Sequence, residues 1–194
     1  MSHYRQRILQ DIKRLIEPLG TVESALDFGS GDGFYASQWR HGSTIRSVTP
    51  VDVVERKNSI VVPTLYGGDR LPFTDQSFEL AYAIDVLHHC HDPGAALRDL
   101  MRCSSKYLLI KDHTYKGRMG KLTLGLLDEI GNRRFGIPSP YLYQYRWTWV
   151  EEIESSGWRR MAFSNPMRCH TGFLGAVTNS LQFVGLWERV HGVV

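Results

Sequence analysis

Cysteine is scarce in this chain. Its 194 residues carry three, Cys90, Cys103 and Cys169, and no two stand in CxxC spacing. That excludes a disulfide framework and a thiolate zinc site, and it suits a reducing compartment. No apolar run reaches the roughly 18 residues of a membrane span. Arg5, Arg7, Asp11 and Lys13 interrupt the opening stretch, so a signal-peptide core is missing too. A cytoplasmic protein without membrane contact is expected. No Lys/Arg run exceeds two residues and the formal net charge is only +3, which argues against nucleic acid as a partner. Repeats and low-complexity segments are absent. What is present is ordinary globular usage, 42% hydrophobic and 22% charged, on the length of one domain spanning 1–194.

Periodicity supplies the elements. Ile8, Leu9, Ile12, Leu15, Ile16 and Leu19 recur at helical spacing and predict an amphipathic helix over 4–19, ended by Gly20. Short apolar runs predict strands at 25–28, 45–54, 60–62, 78–84 and 107–110. A helical patch follows at 34–39. Asp92 and Pro93 suit the N-cap and first position of a helix that runs through Met101. Strands alternating with helices are the α/β signature. The pattern then changes. Residues 114–146 hold one possible helix (Leu122, Leu126, Leu127, Ile130) and then a stretch rich in Gly, Pro and Tyr, which together read as a lid-like insert. Thr148 and Glu151 have capping-box spacing for a short helix. Late strands are expected at 158–163 and 181–190, joined by a long connection over 164–180.

The informative segment is Asp27-Phe28-Gly29-Ser30-Gly31-Asp32-Gly33, at the junction of the first strand and a helix. Glycines there let the backbone turn tightly and approach a ligand, with the helix N-terminus aimed at it. Asp52 ends the second strand, where an acid can accept hydrogen bonds from ribose hydroxyls. The turn is GxGxG. Phe34 stands where a dinucleotide fingerprint needs its third glycine, which counts against a nicotinamide-dependent oxidoreductase. Asp27 would repel a pyrophosphate but suits a ligand with a positive amino group.

These residues resemble the class I S-adenosylmethionine-dependent methyltransferases, and most of all their small-molecule "type 11" group. Asp27-x-Gly29-x-Gly31-x-Gly33 is similar to the first motif and Val51-Asp52-Val53 to the ribose motif. Leu71-Pro72-Phe73-Thr74-Asp75-Gln76-Ser77-Phe78 is similar to the LPFxDxSFD block. Asp85-Val86-Leu87-His88-His89 with Asp92-Pro93 is similar to the loop after strand four. The resemblance implies a Rossmann-like α/β fold with a seven-stranded mixed sheet in order 3-2-1-4-5-7-6, strand 7 antiparallel, and helices on both faces. It implies S-adenosylmethionine as cofactor, transfer of its methyl group by in-line displacement, and a small-molecule acceptor. A non-catalytic domain that binds the cofactor or a partner is the first alternative, and an NAD(P)-dependent oxidoreductase the second.

By the same resemblance, Asp27, Gly29, Ser30, Gly31 and Gly33 cradle the methionine end, Asp52 and Val53 meet the ribose, and Asp85 approaches the amino group. The family's adenine-binding acid is replaced by Gly67, which leaves Gly68 and Asp69 as substitutes. His88, His89 and His113 follow strands four and five, whose ends share one cleft, and are the candidate bases. Tyr115, Tyr141, Tyr143 and Tyr145 are candidate acceptor contacts under the lid. Adjacent histidines converge poorly on one ion and no carboxylate spacing supports them, so no metal is expected. The chain is expected as a monomer or homodimer.

Overall fold

The computed structural model describes residues 3–39, 44–132, 140 and 142–190, with backbone alone at 130–132. Helix α1 (His3–Ile16) buries Ile8, Leu9, Ile12 and Ile16 along one stripe and passes through a 3₁₀ turn (Glu17–Leu19) to β1 (Val22–Phe28). Next come α2 (Phe34–Ser37), β2 (Ile45–Asp52), β3 (Thr64–Leu65), β4 (Phe78–Ile84) and α3 (Pro93–Cys103). Asp92 caps α3 as its sequence suggests, its carboxylate accepting from Ala95 N at 2.9 Å. Then follow β5 (Ser104–Tyr115), α4 (Arg118–Asn132), β6 (Gln144–Tyr145), α5 (Thr148–Ser155), β7 (Trp158–Ser164), α6 (Gly172–Thr178) and β8 (Gln182–Arg189).

The main path of the sheet runs β3-β2-β1-β4-β5-β8-β7. Pairs from β3 to β5 are parallel, and β8 is antiparallel to both neighbours. This is the expected order. One strand is added to the expected seven: β6 pairs with the end of β5, Thr114 opposite Gln144. The third strand is Thr64–Leu65 and not 60–62, because Pro63 breaks the apolar run and pairing with Val51 and Asp52 sets the register. Helix α2 is a single turn, four residues where six were expected. The expected capping box of α5 does not form. Thr148 makes no cap, and Gln144 Oε1 instead accepts from Trp149 N at 2.9 Å and Val150 N at 3.3 Å.

Strand residues alternate between two cores, as the period of two requires. Leu26, Phe28, Ala81, Ala83, Leu108 and Ile110 face α3 and α5. Ala25, Leu80, Tyr82, Ile84, Tyr107 and Leu109 face α1 and α2. Strand β5 is longer than its apolar run because it stays paired on both sides beyond Ile110, to β4 at Lys111 and to β8 as far as His113. Alternation sends Lys111 toward α1, where it meets Tyr4, and Asp112 toward the opposite side, where it meets His88. The carboxyl ends of β1, β2, β4 and β5 open on one edge, the position at which such sheets bind ligands.

Candidate active site

The glycine turn leaves β1 with Gly29, Gly31 and Gly33 all at positive φ, between 61° and 76°. Gly29 N and Ser30 N donate to Val51 O at 2.9 and 3.0 Å, which ties the turn to β2. A Cβ on Gly29 would sit 2.4 Å from Val86 Cγ1, and one on Gly33 would sit 2.7 Å from Val61 O. Only glycine leaves this cradle open. Its helix is one turn long, so the turn itself carries the site. Asp52 Oδ2 accepts from Gly31 N at 2.8 Å and its Oδ1 from Val53 N at 2.7 Å, so the acid at the end of β2 is aimed back into the turn.

Asp27 lies beneath. It is 2% exposed, and its Oδ2 has no hydrogen-bond partner among the described residues. Burial pushes its carboxyl up to about 7. The buried Ser30 hydroxyl is also without a partner among the described residues. A cationic amino group supplied by a ligand would satisfy Asp27. A glycine cradle, an aimed acid and an orphaned carboxylate oxygen together fit the methionine and ribose of S-adenosylmethionine.

These groups line one cleft of about 1340 Å³. Gly68 and Asp69 stand on its rim with Val53, and Gly67 lies outside it. The neighbouring LPF block is held from below. Leu71 N donates to Asp99 Oδ2 at 2.6 Å, while Arg102 donates to Phe73 O at 2.7 Å and Asp75 Oδ1 at 2.9 Å.

The far end of the cleft is charged. Asp112 is fully buried and accepts from Leu87 N at 3.0 Å and His113 N at 2.7 Å. His88 Nδ1 lies 2.5 Å and His113 Nδ1 3.2 Å from its Oδ1. Burial opposes its charge, yet His88 beside it holds the carboxyl well below the usual range. Burial likewise opposes a proton on His88, but Asp112 outweighs it, and Asp128 adds to this from α4 with Oδ2 at 3.6 Å from Nε2. Tyr143 donates to that same Asp128 oxygen at 2.6 Å. Burial and then His88 press His89 down to about 4.

Asp85 sits between the two ends. Lys111, buried completely, donates to its Oδ1 and to Gln182 Oε1 at 2.7 Å, and Tyr4 donates to its Oδ2 at 2.9 Å. Burial pushes the Asp85 carboxyl up, but Lys111 and then His113 together bring it below its ordinary value.

The cleft thus gathers Asp27, Gly29, Ser30, Gly31 and Asp52 at one end, Val53, Gly68 and Asp69 on the rim, Asp85 between the ends, and His88, His89 and His113 at the other. Gly33 backs onto Val61 instead. The tyrosines depart from expectation. Tyr143 is buried behind His88 and Asp128, and Tyr115 and Tyr145 meet at a tilted angle of 53° and do not line the cleft. Tyr141 lies outside the described residues. Pairing of β6 with β5 turns this segment along the sheet edge. Lining residues that escaped the sequence reading include Tyr4, Arg5, Asp128 and Gln182. Asp128 left a trace, a carboxylate directly after Leu127 on the inward stripe of α4.

A family profile described as "Methyltransferase domain" matches residues 1–170. No curated protein matches the sequence. Among solved structures, the chain is similar to an S-adenosylmethionine-dependent methyltransferase from Mesorhizobium loti, with 15% identity, 92% of this chain and 96% of that one covered, and a TM-score of 0.63. It is similar to a SAM-dependent methyltransferase from Aquifex aeolicus at 17% identity, 92% and 89% coverage and TM-score 0.57. It is also similar to the [4+2]-cyclase SpnF at 14% identity, 94% and 81% coverage and TM-score 0.64. At these identities the structures share the fold.

Proposed function

The chain belongs to the methyltransferase-domain family, class I and dependent on S-adenosylmethionine, and from that premise we propose that it methylates a small molecule held at the histidine end of the cleft. The observation that carries this is the cleft's extent. Ordinary small-ligand pockets run to roughly 300–1,000 Å³; about 1340 Å³ is continuous here between Asp27 and His113. One cofactor and one small acceptor fit that space together. No helix among the described residues is long and apolar enough to cross a membrane. Cys90, Cys103 and Cys169 are free thiols, which favours a cytoplasmic setting. We read the whole chain as one functional unit.

When bound, S-adenosylmethionine supplies an electrophilic methyl on a sulfonium. The chain's residues hold and align. Asp27 takes the amino group, Asp52 the ribose hydroxyls, and Gly68 and Asp69 border the adenine. Alignment of acceptor and methyl supplies on the order of 7–11 kcal/mol of the barrier reduction at best. An acceptor that must lose a proton needs a base. With its Nδ1 proton directed at Asp112, His113 presents Nε2 as the acceptor, the geometry of an oriented general base. His88 and His89 form the adjoining wall.

Calorimetry with the cofactor and its demethylated product tests the cofactor half. Asp52→Ala should weaken binding by about 1–3 kcal/mol through lost charged hydrogen bonds; unchanged affinity would remove Asp52 from the ribose. His113→Ala tests the other half, by loss of turnover at nearly constant cofactor affinity. Full activity in that variant would reduce His113 to a wall. Tight cofactor binding with no turnover across a panel of hydroxyl, amine and thiol acceptors would favour the non-catalytic reading.

A further inference from the structure

The histidine wall contains an arrangement that methyl transfer alone does not require. His88 and His89 follow one another on a 3₁₀ turn, with ring centroids 4.0 Å apart. Helix α4 brings Asp128 against them. Each of the three offers one ligating atom, and these atoms lie within 4.8 Å of one another. We propose that His88, His89 and Asp128 bind a divalent transition-metal ion at the acceptor end of the cleft.

Three further features support a built site. A ligating histidine is normally oriented by a carboxylate on its other ring nitrogen, and a ligating carboxylate is itself hydrogen-bonded. His88 has Asp112 at 2.5 Å from Nδ1, which leaves Nε2 toward Asp128. Asp128 has Tyr143, donating at 2.6 Å. His89 Nδ1 is buried with no hydrogen-bond partner among the described residues, an expensive omission for a ring nitrogen. The 3.6 Å between His88 Nε2 and Asp128 Oδ2 is close to the edge of a tetrahedron drawn with metal–ligand bonds of about 2.1 Å.

His88, Asp112 and His113 also cluster. That group is the weaker candidate, because Asp112 is already engaged by Leu87 N, His113 N and both imidazoles. Asp112 belongs behind the site, orienting His88. Two imidazoles and one carboxylate with the remaining positions open to a cleft suit zinc, cobalt(II) or iron(II) better than magnesium or calcium. Placed there, the ion would take an oxygen or nitrogen of the acceptor and lower its pKa. That role rests on the methyl-transfer reading; the binding of the ion does not.

The test uses the whole chain, stripped with a chelator, dialysed, and titrated with cobalt(II) and with zinc(II), following cobalt absorption and bound metal by elemental analysis. We expect saturation at a single ion per chain, with the spectrum of an N/O-ligated site of low coordination number. Asp128→Asn and His89→Ala should each abolish stoichiometric binding. Tyr143→Phe should weaken it about 10–100-fold. Cofactor affinity, measured on the same samples, should persist in all three and shows that they are folded. Absence of saturable binding by the parent chain would overturn the proposal, as would binding that survives both ligand substitutions. Loss of cofactor binding by the parent would instead count against the functional reading and leave the metal result standing.

Discussion

Asp27 shows how a single side chain can couple cofactor binding to pH. Its carboxyl titrates near 7 in the folded chain because burial disfavours the charge. An exposed aspartate titrates near 3.9. Between those values the folded protein holds a proton that the unfolded chain has released. The stability linked to that proton is complete below the unfolded value and is lost as pH rises through about 7. On the proposed placement, the cofactor's amino group reverses the preference by favouring the carboxylate. Cofactor affinity should therefore climb with pH, by up to about tenfold per unit, and level off above 7. Asp27→Asn should flatten that rise and bind weakly throughout. Calorimetry from pH 5.5 to 8 would check it, and an equally steep rise in the variant would remove Asp27 from the amino group. The residue types were legible because glycines flanked by an acid after an apolar run have few other uses. Asp128 and Tyr4 were not, since each sits inside a helix whose apolar period reads as packing, and only the docking of α4 and α1 brings them to the cleft.

Among the elements, legibility followed length and burial. Strands β1, β2, β4 and β5 show as short apolar runs because helices cover both faces. The two-residue strands β3 and β6 carry no such signal, and their places are set by the neighbour they pair with. Ile60 and Val62 are apolar, but they are 57% and 63% exposed on the loop before β3, so the run misled. Helix α5 gives a sharper case. Its start reads in sequence as Thr148 with Glu151, whereas a residue four positions upstream of Thr148 does the capping. Gln144 is buried and its one oxygen serves two helix N–H groups. Gln144→Ala should cost about 0.5–2 kcal/mol, the range for a lost cap. Thr148→Ala, at an exposed position, should stay within about 0.5 kcal/mol. Urea unfolding of both would decide it; the opposite ranking would restore the capping box.

For the molecule as a whole, the question is what ties the N-terminal helix to the sheet it covers. Part of the answer is apolar, the stripe of Ile8, Leu9, Ile12 and Ile16 against β1, β4 and β5. The other part is Lys111. From β5 it reaches Asp85 after β4, Tyr4 on α1 and Gln182 on β8, so one buried cation joins four segments at the floor of the cleft. A buried pair adds little over a well-packed apolar replacement, but removing one member leaves a charge without a partner and costs about 3–5 kcal/mol. Lys111→Met should therefore lose about that much, because the Asp85 carboxylate is left without its cation. Adding Asp85→Asn should recover a large share, since an amide needs hydrogen bonds and no counter-ion, and Tyr4 still reaches it. The double-mutant cycle reads this directly as a coupling well above the few tenths of a kcal/mol expected for independent sites. Additive losses would mean that the lysine packs without pairing. Acid gives a second view of the same pair. Lys111 keeps the Asp85 carboxyl below its ordinary value, so the stability it contributes is present above the unfolded carboxylate pKa and disappears as pH falls through the folded one. The parent chain should lose stability on acidification faster than the double variant, and the α1 contact should open first, which hydrogen exchange along α1 would resolve.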